Sequence, residues 1–172
     1  MTPQTVARRR TGGASPDGDP DPETLEVRAV LLASEDREIP TAAIDLAARI
    51  AKRSNAPVHV FTIARIWGTS FGFPNPGLQP TKREWEQQRH NVEKAVGRLE
   101  RKGVKARGRV VGTRAGAKRI VKEAERLECD AIVMAADPKR HPLIRNFMWS
   151  QEPYRVRRRA NVPVFLVVDQ AA

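Results

Sequence analysis

The chain has 172 residues, with 31 Lys and Arg against 20 Asp and Glu, three histidines and one cysteine. That length fits one domain plus a tail and can bury a core without help from cross-links. Cys129 alone cannot form an internal disulfide, which suits a reducing compartment, and the scattered His59, His90 and His141 suggest no metal site. The formal charge of +11 attracts polyanions such as nucleic acid, nucleotides or an anionic membrane surface, although a solvated basic surface is the favoured reading.

No apolar run approaches the roughly 20 residues of a membrane span. Met1–Arg10 is basic with no apolar stretch behind it, so it is not a secretory signal, and a soluble, cytoplasmic protein is expected. Residues 1–24 are expected to form a disordered tail, because Thr11–Pro22 consists of turn formers without apolar periodicity. An α/β domain is expected over 25–172.

In chain order, Val27–Ala33 is a short, nearly continuous apolar run, as expected of a strand covered on both faces. Ser34–Glu38 reads as a polar loop, with Asp36 and Glu38 as the acidic approach to a helix. That helix begins near Pro40, carries the stripe Ile44, Ala47, Ala48 and Ala51, and stops at Ser54-Asn55. Pro57–Ile63 is the second strand, in which His59 reads as a core or edge imidazole. A long loop, Ala64–Pro80, follows.

Thr81-Lys-Arg-Glu84 is a capping box opening a second helix, whose stripe is Trp85, Val92, Val96 and Leu99 and whose end is Lys102-Gly103. Val104–Val111 is a weaker strand interrupted by Gly108, which places it at an edge, and Gly112-Thr113 turns the chain. Ala117, Ile120, Ala124 and Leu127 mark a third helix, and Asp130–Ala135 is the fourth strand. A loop over Ala136–Gln151, a short basic helix over Glu152–Ala160 and a last strand over Pro163–Val168 complete the pattern. Such alternation predicts parallel strands joined by right-handed crossovers.

Ligands of open parallel sheets bind outside the carboxyl ends of the strands. Five of the nine aromatic residues, Trp67, Phe71, Phe73, Phe147 and Trp149, fall in two loops on that edge. Aromatic residues usually fill cores, so this placement asks for a reason. Trp67, Phe71 and Phe73 suit a lid or a subunit contact. Alternatively the loops line a pocket for a flat ligand, with Lys139, Arg140, Arg145 and Arg114 facing an anionic group. Packing is the favoured reading.

Several segments, taken in order, resemble the universal stress protein family from Val27 onward. They are the first strand with its Ser34-Glu-Asp36 turn and Ala-rich helix, Asn55-Ala-Pro-Val-His-Val60, Gly112 ahead of the third helix, Cys129-Asp-Ala-Ile-Val-Met134, and Ala160-Asn-Val-Pro-Val-Phe-Leu-Val167. The resemblance implies a Rossmann-like open five-stranded parallel sheet in the order 3-2-1-4-5 with helices on both faces. It also implies a homodimer through the last strand and a role in stress survival, with ATP or AMP bound by some members.

Members that bind nucleotide carry an aspartate ending strand one. After strand four they carry a Gly-x-x-Gly…Gly-Ser loop whose amides wrap the phosphates. Here Ser34 replaces the aspartate, and Ala135 and Pro138 replace the first two glycines. Proline offers no amide, and alanine resists the positive φ of a phosphate-cradling nest. Met148-Trp149 or Ser150-Gln151 stands at the Gly-Ser step, and Ser150 also suits a helix N-cap. Candidate ligand-binding residues are therefore Ser34, Met134 and Ala135 on the strand ends, with Lys139, Arg140, Arg145, Trp149, Ser150 and Gln151 in the variant loop.

No Ser-His-acid set, paired-carboxylate motif or Walker-type lysine loop is present, so no catalytic residue is expected. Arg155, Arg157, Arg158 and Arg159 spread around a short helix, which suits a solvated face better than a nucleic-acid contact. The expected function is a non-catalytic stress-response domain acting through dimerisation and partner or small-ligand binding. The alternative is an ATP/AMP-binding module with a variant phosphate loop.

Overall fold

In a computed structural model, residues 20–66, 79–136 and 152–168 are described in full and 69–70 and 73–74 by their backbone. Most of the expected tail therefore lies outside the described residues. Its last part makes a turn in which Thr24 N donates to Asp21 O at 3.1 Å.

The first strand, β1 (Val30–Glu35), is buried at every position, including its last. It starts later and runs further than the apolar run suggests, so Ser34 and Glu35 are strand rather than loop. Helix α1 (Thr41–Arg53) buries Ala43, Ile44, Ala47, Ala48, Ile50 and Ala51. Pro40 is its extended N-cap residue, one position ahead of the first turn. Asn55, at φ 49°, takes the left-handed conformation that ends the helix.

Strand β2 (Val58–Arg65) reaches into the expected loop. Beyond it, β3 (Thr69–Ser70) and β4 (Phe73–Pro74) pair antiparallel, an arrangement too short to leave a periodic signal. The expected capping box is present. Thr81 Oγ1 accepts from Glu84 N at 3.2 Å, and Glu84 Oε2 accepts from Thr81 N at 2.6 Å. It opens α2 (Lys82–Arg101), which ends ahead of Gly103 at φ 78°.

Strand β5 (Ala106–Thr113) is at the sheet edge, as expected. The glycine interrupting it has a packing reason: a Cβ on Gly108 would stand 2.0 Å from Val92 Cγ1 of α2. Gly112 does not turn the chain. It lies within β5, where the half-buried Trp85 closes over it, 3.0 Å from an added Cβ. Helix α3 (Gly116–Arg126), β6 (Ala131–Ala136), α4 (Glu152–Arg159) and β7 (Val164–Val168) follow.

The five long strands pair in parallel in the order β5-β2-β1-β6-β7, the expected 3-2-1-4-5. Val30, Leu32, Val58, Val60 and Val133 face α1 and α2 in one core. Leu31, Ala33, Phe61, Ile63, Ile132 and Met134 face α3 and α4 in the other. With helices on both faces, the central strands β1 and β6 are wholly buried. Strand order reverses between β1 and β6, so the crevice outside their carboxyl ends is where this topology places a ligand.

Candidate functional site at the carboxyl edge of the sheet

Alternation along the strands builds this edge. Leu31 and Ala33 face α3 and α4, so Glu35, two positions on, faces them too. Arg65 follows Phe61 and Ile63 on β2 in the same way. Glu35 Oε1 and Arg65 Nε lie 3.4 Å apart, with the Glu35 side chain only 5% exposed. Glu152, the first residue of α4, brings a second buried carboxylate to the same place. Its Oε1 lies 3.8 Å from Arg65 Nη2 and accepts from Arg155 Nη1 at 2.7 Å.

The other Glu152 oxygen, Oε2, accepts from Ala117 N at 2.7 Å. That amide belongs to the first turn of α3, whose own N-cap residue, Ala115, offers no side-chain cap. A carboxylate from α4 therefore takes the place at a helix N-terminus that amide donors and the helix dipole prepare for an anion. Gly116 makes the approach possible: a Cβ there would lie 2.9 Å from Glu35 Oε1 and 3.4 Å from Glu152 Oε2. This four-residue charge cluster on one α-helical N-terminus is the best-built polar feature of the edge.

The opposite face of β1 carries a second polar group. Asp36, at φ 50°, continues the ladder by donating its N–H to Ile63 O at 3.1 Å, and its carboxylate accepts from Gln88 Nε2 at 3.3 Å. Burial and the nearby Glu84 push the Asp36 carboxyl above its ordinary range. Asp36 precedes α1 by several residues and contributes nothing to its first turn. Thr62 Oγ1 and Gln88 Oε1 are buried without a hydrogen-bond partner.

Three sequence-predicted ligand residues are described. Ser34 is 3% exposed, and its hydroxyl donates to Arg37 O at 2.9 Å, fixing the turn after β1. Met134 is 1% exposed and packs in the core under α3 and α4. Ala135 is buried in β6, one position beyond the Ala33–Met134 pair that sets it beside Ser34. Lys139, Arg140, Arg145, Trp149, Ser150 and Gln151 lie outside the described residues, as do Trp67, Phe71 and the Phe73 side chain. Arg114 is exposed just after β5. The residues that sequence reasoning missed are Glu35, Arg65, Gly116 and Glu152. A signal existed for the first: extending the strand period by one step puts Glu35 on the buried face.

Among the described residues, no group of three or more His, Cys, Asp or Glu is placed to hold a metal, and no helix is long and apolar enough to cross a membrane. The model of the universal stress protein family matches residues 26–168. The chain belongs to the universal stress protein family. Its fold is similar to that of a universal stress protein from Archaeoglobus fulgidus, at TM-score 0.61 and 18% identity over 80% of this chain and 91% of that one. It is also similar to UspA from Lactobacillus plantarum, at TM-score 0.60 and 16% identity over 84% and 99%. A third similar structure is the Archaeoglobus fulgidus universal stress protein in complex with dAMP, at TM-score 0.59 and 19% identity over 80% and 95%. No curated protein sequence matches the chain.

Proposed function

We propose that this member of the universal stress protein family is a non-catalytic, cytoplasmic domain that acts in stress response through homodimerisation and binding of a partner or small ligand. In this reading it does not take ATP in the manner of the family's nucleotide binders. The observation that carries it is the Glu152 carboxylate seated on the Ala117 amide, 2.7 Å away, with Glu35 beside it. A helix N-terminus in such a crevice is a ready anion site. Here the anion is internal. Arg65 and Arg155 already face buried carboxylates, so a triphosphate entering would meet two negative charges and cations engaged elsewhere. Replacement of the strand-one aspartate by Ser34, and of the loop glycines by Ala135 and Pro138, points the same way.

A second reading has its own support. The dAMP-bound relative shows that this fold can hold an adenine nucleotide, and Lys139, Arg140, Arg145, Trp149, Ser150 and Gln151 supply the groups for a variant ATP or AMP loop. Isothermal titration with ATP and AMP, with mass spectrometry of any co-purified nucleotide, separates the two. The first reading expects no micromolar binding. Micromolar binding lost in Arg145→Ala or Trp149→Ala establishes the second.

A further inference from the structure

Away from this edge, one strip of basic side chains runs along β5 and α3. Arg107 and Arg109 are exposed on the edge strand β5, in register with His59 and Phe61 of β2, and so point to the α3 side of the sheet. Helix α3 packs on α4 and, against the sheet, on β1 and β2, and its Glu123 reaches Arg109 of β5. The flank of β5 is thus bordered by the outer stripe of α3, where Arg119, Lys122 and Arg126 recur at helical spacing.

Glu123 lies within that border and organises it. Its side chain is 2% exposed, and it faces Arg126 at 2.7 Å, Arg109 at 3.4 Å and Arg119 at 3.5 Å. One carboxylate balances one of these three guanidinium charges and leaves a surplus of two. The exposed Arg107 and Lys122 add two more. The half-buried His59 reports the same convergence: burial, Arg107 and Arg126 all push it away from its protonated form.

We propose that this strip binds the phosphodiester backbone of nucleic acid without reading its sequence. Guanidinium groups held in place by a buried carboxylate lose less freedom when they take a second anion, and their fork matches phosphate oxygens. Cations at alternate positions of β5 and successive turns of α3 form a line, which suits a linear polyanion better than a lone phosphate. A membrane is the poorer partner, because the exposed large apolar residue among the described ones, Val168, lies on β7 at the other sheet edge. The described aromatics Phe61, Trp85, Tyr154 and Phe165 are buried or half-buried, so the strip offers no stacking platform and contacts the backbone alone. None of these cations is an α4 arginine; Arg155 there is held by Glu152.

The test is fluorescence anisotropy of the full chain with a labelled oligothymidylate of about 20 nucleotides, longer than a single site of this size. Four phosphate contacts predict an affinity falling on the order of 50-fold between about 50 and about 200 mM salt. Arg107 and Lys122 stand outside the Glu123 pairs, so Arg107→Glu with Lys122→Glu keeps those pairs. This variant, with an unchanged melting curve, should bind at least about tenfold more weakly at low salt and with a salt slope shallower by about 1.5. Arg158→Glu with Arg159→Glu carries the same net charge and should bind like the parent. Absence of binding at low salt overturns the proposal, as does equal loss in both variants. Equal competition by polyglutamate or by phosphatidylserine vesicles also overturns it, assigning the strip to an acidic protein or to a membrane.

Discussion

Asp36, an exposed residue whose carboxylate is held against Gln88, and the buried Thr62 each carry a polar group that works against the fold, and both can be tested singly. Asp36 has its carboxyl pushed up by desolvation first and by Glu84 second. The folded state therefore holds that proton more tightly than the unfolded chain, and stability falls as pH rises from the ordinary aspartate range through the raised folded value. Asp36→Asn keeps the acceptor for Gln88 and a residue tolerant of φ 50°. It should melt higher than the parent at pH 7, and the gap should close as pH drops below the carboxylate range. A gap that persists at pH 3 contradicts the assignment. The comparison is made at matched pH because Glu123 has the opposite sign. Its carboxyl is held low mainly by the Arg126 hydrogen bond, so its contribution is lost on acidification. Thr62 Oγ1 is buried without a partner. Thr62→Val should be neutral or stabilising by up to about 1 kcal/mol in urea denaturation, because it removes an unpaired hydroxyl at constant shape.

At the level of elements, what was legible depended on whether a signal was local. The Thr81–Glu84 capping box is complete within four residues, and the structure contains it as read. The stripes of α1 and α3 were legible for the same reason. Gly108 was legible in position but not in cause, since its edge placement follows from the strand pattern whereas Val92 comes from another element. Gly108→Ala should cost about 1–3 kcal/mol through this overlap. Adding Val92→Ala should recover part of that loss, which a double-mutant cycle will show as coupling. If the two changes are additive, α2 does not set the glycine. The charge cluster was the least legible part. Glu35 and Arg65 sit where strands outlast their apolar runs, and Glu152 meets the first turn of α3 only because α4 folds back beside it. Sequence spacing carries no trace of a contact between residues 117 and 152.

At the scale of the whole molecule, the strand order and the two helical layers followed from alternation and from the family resemblance, and the sheet has that order. The proposed homodimer belongs to this scale. Strand β7 is an edge with Leu166 and Val167 half-buried and Val168 41% exposed. Light scattering should give a dimer mass for the parent and a monomer for Val168→Lys, because a lysine on an edge strand opposes pairing. A parent that stays monomeric at high concentration removes dimerisation from the proposed function. The proposed lack of a family-type phosphate site concerns the other end of the strands, where the Glu152 carboxylate sits on the Ala117 amide. Isothermal titration of the intact chain with ATP and AMP tests it most directly. No saturable heat at micromolar ligand is the predicted result, and a micromolar Kd for either nucleotide would contradict it.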